Sequence, residues 1–274
     1  MNSNSTLSFS RYSNAFTQGL AMEDLRSKVP AVFAGGAHES LSHKYTFIPT
    51  ELVLLGLMSA GFVPVEARQA GSRKTSPMHA RHVVRLRRRF ETVSLRDSVP
   101  EVVFLNSHDG SSAYQLRLGL FRAVCTNGLI VSVGAFPALC VAHRGDIVDE
   151  VVTAALEASE RFEMLAGRVE RMEQRRLDRD EQLNFAGKAL GLRYPEPEMA
   201  GMQPSQLLGS RRAEDVSDDL WTVFNRVQEN LLGGGLVRRT PTGRLSRTRR
   251  ITSIRADVRL NSRLWGLAEE VLAG

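Results

Sequence analysis

The stretch Glu101-Val-Val-Phe-Leu-Asn-Ser-His-Asp-Gly-Ser-Ser-Ala-Tyr-Gln-Leu-Arg-Leu-Gly-Leu-Phe121 decides the fold class. Two strand-like runs, Glu101 to Asn106 and Ala113 to Phe121, flank Asp109-Gly110. Glycine accepts the positive φ that tight turns need, so the pair reads as a hairpin. Alternation in the second run is incomplete, which permits burial on one face with Arg117 on the other. Phe62 to Ala67 and His82 to Arg88 carry the same signal upstream, and Leu139 to His143 is a further candidate downstream. Lys44 to Pro49 also reads as a strand. A helix from Glu51 to Ala60 follows, with Thr50 as its cap, Leu52, Leu55 and Met58 on its apolar side, and Gly61 as its stop. The middle of the chain is expected to be a mostly antiparallel sheet.

Beyond Ile147 the period changes. Val148, Val152, Leu156, Phe162, Leu165, Val169 and Met172 recur at steps of three, four or six, which predicts one helix of roughly 30 residues, about 45 Å long. Its apolar stripe is the expected subunit contact. Further helices are predicted over Asp180 to Leu192, over Leu220 to Leu232 with Trp221, Phe224, Val227 and Leu231 on one side, and over Asn261 to Leu272. A short helix, Ala21 to Val29, is closed by Pro30. Strands first and helices later give an α+β fold: a central mostly antiparallel sheet, a long helix and further C-terminal helices. Residues 1–20, rich in Ser and Asn, read as a flexible segment. Residues 21–192 read as the core domain, and residues 193–274 as a helical, arginine-rich extension packed on it.

The chain has 274 residues, of which 42% are hydrophobic and 24% charged, enough to bury a real core. Two cysteines, Cys125 and Cys140, supply neither a disulfide framework nor a zinc site unaided. No apolar run approaches the ~18 residues of a membrane span, and the first residues lack the pattern of a secretory signal. A cytoplasmic protein with no membrane partner is expected. Net charge is a modest +6, but the cations are grouped. Eight Lys or Arg and no acid lie between Arg68 and Arg89, and eight Arg with the single acid Asp257 lie between Arg238 and Arg259. Guanidinium groups flanked by Gly, Ser and Thr suit phosphate oxygens, which they bind bidentately. Arg81, Arg85, Arg87, Arg88, Arg89, Arg122, Arg244, Arg247, Arg249 and Arg250 are therefore the candidate nucleic-acid-binding residues. No helix-turn-helix, zinc-finger or RNA-recognition signature accompanies them.

Asn106, Ser107, His108, Asp109 and Ser111 form the densest polar cluster and a candidate binding loop. Catalysis there would need His108 within hydrogen-bond reach of Ser107 or Ser111, whereas turn neighbours usually point apart. No catalytic residue is assigned. His79 with His82, and His38 with His43, lack the third and fourth ligands a metal needs, so no metal and no cofactor is expected. Asp146 reads as the cap of the helix that follows it.

Read together, Val32-Phe, His38-Glu-Ser, Tyr45-Thr-Phe-Ile-Pro-Thr50, Leu105-Asn-Ser-His-Asp-Gly-Ser-Ser112, Phe121-Arg-Ala-Val-Cys-Thr-Asn-Gly-Leu129, His143-Arg-Gly-Asp-Ile147, Asp219-Leu-Trp-Thr222 and Arg226-Val-Gln-Glu-Asn230 resemble the YfjQ/YafZ type of protein. That type belongs to a larger domain-of-unknown-function family. The resemblance covers roughly residues 28 to 270. It implies an origin in a plasmid or prophage and carries over no residue roles. In outline only, a strand-rich centre with basic segments and helices is similar to single-strand annealing proteins of the RecT/Redβ/Erf kind.

The expected function is a non-enzymatic nucleic-acid-binding protein of a mobile element, binding or annealing single-stranded DNA as a homo-oligomer in recombination or maintenance. One alternative is a nucleic-acid- or nucleotide-processing enzyme that uses the Asn106 to Ser112 loop. Another is an interaction factor that blocks a host defence or regulates a neighbouring system.

Overall fold

A computed structural model describes residues 19–42, 45–71, 76–89, 98–112, 114–122, 129–131, 147–196 and 201–274. Contacts divide it into two compact units, one of residues 1–128 with 136–162, the other of 129–135 with 163–274. The fold class is α+β, as the sequence predicts. The expected flexible segment 1–20 falls almost wholly outside the described residues, as do Asp146 and the candidate strand Leu139 to His143.

In the first unit, helix α1 (Met22–Lys28) and a 3-10 turn (Pro30–Phe33) precede helix α2 (Thr50–Ser59). Strands β1 (Phe62–Gln69), β2 (His82–Arg88), β3 (Ser98–Asn106) and β4 (Gln115–Arg122) then form an antiparallel meander in sequence order. Helix α3 (Ile147–Glu160) completes the unit. Alternation decides which side chains face the helices: Val84, Leu86, Val102, Phe104, Leu116 and Leu118 pack with Leu25, Val53, Leu54, Leu57, Val151 and Ala155 in one core. Each fully buried side chain of this kind contributes roughly 1.5–3 kcal/mol.

Two local readings need correction. Tyr45 to Pro49 makes no ladder. Its alternation reflects packing instead, with Ile48 in the core, Phe47 against the His108 ring at 4.9 Å and the Tyr45 hydroxyl donating to the Ser107 carbonyl. In α2 the buried residues are Thr50, Val53, Leu54 and Leu57, while Leu52 and Leu55 are 54% and 43% exposed. Both stripes are helix-spaced, so spacing alone did not choose between them.

The second unit holds strand β5 (Leu129–Val131), helix α4 (Phe162–Gln174) from Glu163 onward, and helices α5 (Arg179–Arg193) and α6 (Leu220–Gly233). Strands β6 (Val237–Arg239) and β7 (Leu245–Arg247) pair as a hairpin before helix α7 (Ile254–Ala273). The single long helix predicted from Ile147 is thus two, interrupted at Arg161. The buried positions keep helical spacing across the break, from Ala154 and Ala158 to Phe162 and Leu165, so periodicity reads straight through it. Val151, Ala154, Ala155 and Ala158 on α3 pack in the core of the first unit, and Leu165, Val169 and Met172 on α4 are buried as well. They are not a free subunit face.

Helix α6 is buried on nearly every side rather than on one. Most of its buried polar groups find partners, Arg226 Nε being an exception. The Asn230 amide donates to the Leu207, Gly209 and Arg226 carbonyls, Gln228 to Asn261, and Arg226 to the Ser217 carbonyl. Asp219 caps the helix, accepting from the Thr222 amide at 2.8 Å.

The other face of the sheet is also buried at Val83, Val103 and Leu105, yet it carries charge. Glu101, fully buried, accepts from Arg85 Nε and Arg87 Nη2, both at 2.6 Å, and Arg85 also pairs with Glu66 on β1. Replacing one partner of such a cluster leaves uncompensated buried charge. Glu101→Gln is therefore expected to cost about 3–5 kcal/mol of stability in urea unfolding, and a loss under 1 kcal/mol would contradict this role.

Candidate nucleic-acid interface

The loop after β3 is built around the Thr50 hydroxyl. His82 gives Nδ1–H to the Ala80 carbonyl, so its Nε2 is bare and accepts from Thr50 Oγ1 at 3.0 Å. Asn106 Nδ2 donates to the same oxygen at 3.0 Å, which leaves His108 Nε2, at 3.3 Å, as the second donor. This network assigns opposite neutral tautomers to the two rings, whose centroids lie 5.2 Å apart. Burial pushes both histidines down to about 4. For His82 the Ala80 carbonyl opposes the shift, and for His108 the main chain at Ala31 does. His108 lowers His82 further, His79 lowers His108 further, and Asp109 opposes both shifts.

The rest of the loop is satisfied internally. Ser107 Oγ donates to the Ser112 carbonyl and accepts from the Ser112 amide, and Asp109 Oδ1 accepts from the Ser111 amide at 2.9 Å. Burial alone would raise Asp109, but hydrogen bonds from Ser111 and Ser107 hold it below the usual carboxylate range. Gly110, at φ +73°, supplies the turn that the sequence predicts. Asn106, Ser107 and His108 are buried, and His108 addresses Thr50 rather than a serine. The loop therefore lacks the nucleophile–base contact of a catalytic site. Nearby, His38 meets His79 edge to face at 5.2 Å and bonds Ser40. Among the described residues no three His, Cys, Asp or Glu side chains converge on a metal position.

The predicted basic residues separate into two kinds. On β2, Arg85 and Arg87 are mostly buried and neutralised by Glu66 and Glu101, and Arg88 donates to Ser159 Oγ at 3.2 Å. Arg81 bonds the Ser111 carbonyl, Arg89 is exposed, and the side chain of Arg122 lies outside the described residues. The sequence held the signal for this neutralisation, since β pairing sets Glu66 opposite Arg85. That pairing needs a register that the run of cations does not reveal.

The hairpin of the second unit is different. Residues 230–256 contain seven arginines and no acid. Arg238, Arg239, Arg244, Arg247, Arg249 and Arg250 are all exposed, and none pairs with a carboxylate among the described residues. The hairpin is fastened at its base: Gly235 donates to the Thr248 carbonyl, Thr248 to the Leu236 carbonyl, and Leu236 to Thr248 Oγ1. Gly234, at φ 69° and ψ −152°, sits where a Cβ would come 2.6 Å from the Arg249 carbonyl carbon. Only glycine fits both demands. Arg193 donates to the Leu231 and Arg249 carbonyls, and Arg211 to Asn230 and the Gly234 carbonyl. Two cations thus meet the C-terminal end of α6, where helix carbonyls are unpaired. Sequence reasoning singled out neither of them.

Two outcomes test this geometry. Thr50→Val should destabilise by about 1–3 kcal/mol, since it strands buried polar groups, while Thr50→Ser should largely restore stability. Because both histidines hold folded values near 4, below the unfolded ~6.5, the unfolded chain binds extra protons between those limits. Stability should be flat above about pH 7 and fall toward pH 4, with a slope approaching about 1.4 kcal/mol per pH unit for each histidine. Urea midpoints at pH 7, 6 and 5 would read it, and a flat profile would contradict it.

Comparison with known proteins places the chain. The family described as a domain of unknown function, DUF932, matches residues 37–265. The Escherichia coli K12 proteins YafZ and YfjQ, each described as a UPF0380 protein, are both 41% identical over 254 residues, covering 92% of this chain and 92% of each relative. No solved structure matches. A match of this length, with the motifs that build α6 and the Thr50 network inside it, shows that the chain belongs to the DUF932 family, alongside the YafZ and YfjQ proteins.

Proposed function

We propose that this protein is a non-enzymatic nucleic-acid-binding factor of a mobile element, and that the β6–β7 hairpin with Arg249 and Arg250 grips the phosphate backbone. The observation that carries the reading is an exposed arginine cluster with no carboxylate partner among the described residues. These guanidinium groups keep their charge, since Arg238, Arg239 and Arg247 bond only a hydroxyl or main-chain carbonyls of the hairpin segment, and such groups release counterions when they bind phosphates, whereas Arg85 and Arg87 already hold acids. The binding role therefore moves from the sheet to the hairpin. The internally bonded Asn106 to Ser112 loop gives the enzymatic alternative no support.

Arg247→Ala/Arg249→Ala/Arg250→Ala should weaken binding to mixed-sequence oligonucleotides of every sequence. It should also lower the slope of log affinity against log salt by roughly 2–3, near one unit per lost phosphate contact. Anisotropy titrations across a salt series would measure it. Unchanged affinity and slope would remove the hairpin from the interface.

A further inference from the structure

Given that nucleic acid is the partner, the geometry points to a specific mode: the hairpin enters the major groove of a B-form DNA duplex tip first, with its two faces against the two phosphate walls. Residues directly opposite in an antiparallel pair share a face. Val237 lies opposite Arg247 and Arg239 opposite Leu245, so Arg239 and Arg247 share one face with two exposed aliphatic side chains. Arg238 lies opposite Ser246 on the other face, and the turn bond from Thr240 to the Arg244 carbonyl sets Arg244 beside it. Each face therefore carries two exposed arginines. A single strand laid along a ribbon would use one face and leave the other pair idle. A groove with phosphates on both sides uses both.

The dimensions agree. The major groove, about 12 Å wide and about 8.5 Å deep, admits a two-stranded β-ribbon. Three paired residues at about 3.3 Å each span its depth. The tip, Thr240-Pro-Thr-Gly243, is uncharged and small, and its two threonine hydroxyls, 2.9 Å apart, can meet base edges on the groove floor. The ribbon is held at its base by Gly234, Thr248, Arg193 and Arg211 and along one strand by Gln206, which donates to the Val237 carbonyl, and by Gly201 against the Arg239 stem, so its geometry is fixed before DNA arrives. The major groove of A-form RNA is too narrow for such an arm.

The test uses the full chain with a mixed-sequence DNA duplex, the same sequence as single-stranded DNA, and the corresponding RNA duplex, each titrated across salt. Arg238→Ala/Arg244→Ala and Arg239→Ala/Arg247→Ala remove one face each, with thermal unfolding as the check that both variants fold. The DNA duplex should bind most tightly, and each variant should lower its salt slope by about 1.8, twice about 0.9 per phosphate. Equal affinity for the RNA duplex, tighter binding to single strands, or a slope change confined to one variant would overturn groove insertion while leaving nucleic-acid binding intact. Absence of binding to all three would overturn both.

Discussion

A carboxylate buried in a sheet must be paired, and in this protein that constraint sorts the cations. Glu101 lies on β3 with no exposure and takes both Arg85 and Arg87, while Glu66 takes the remaining side of Arg85. The pairs let charged side chains share a sheet face with buried Val83, Val103 and Leu105. They also remove the most basic strand from the set of cations available to an anionic partner. What remains unneutralised among the described residues is concentrated in the second unit, on a hairpin whose sequence contains no acid. Structure and charge distribution are therefore one problem here, because burial decides which arginines are free.

The Thr50 network follows the same logic with neutral groups. One hydroxyl bonds two imidazoles and an amide by accepting from two and donating to one, so the sheet end, the hairpin loop and the start of α2 share a single polar junction, in which His108 Nδ1 is buried without a hydrogen-bond partner. The residues that looked like reactive chemistry, His108 beside Asp109 and two serines, serve this junction and its turn. Buried polar groups that bond one another stabilise one arrangement of the chain.

Much of the fold was legible. Period-two alternation and the Asp109-Gly110 turn located the four strands of the meander, and β2 falls on His82–Arg88 as read. Helix spacing found α5, α6 and α7 but misjudged faces and continuity. Leu52 and Leu55 form as regular a stripe as Val53, Leu54 and Leu57, and only tertiary packing chooses between them. The break at Arg161 leaves the buried spacing from Ala158 to Phe162 and Leu165 intact, which is why periodicity read straight through it. Of the candidate site, the arginine content of the hairpin was visible, whereas its freedom from acids across the fold was not. Neutralisation of Arg85 and Arg87 depends on cross-strand register. Support from Arg193 and Arg211 depends on where distant segments meet the end of α6.

The most direct test of this division is an arginine-selective dicarbonyl footprint of the protein with and without bound DNA duplex, read by mass spectrometry. The account predicts that DNA shields Arg238, Arg239, Arg244, Arg247, Arg249 and Arg250 while the reactivity of Arg81, Arg88 and Arg89 stays the same. Shielding of the β2 arginines with an unchanged hairpin would contradict it.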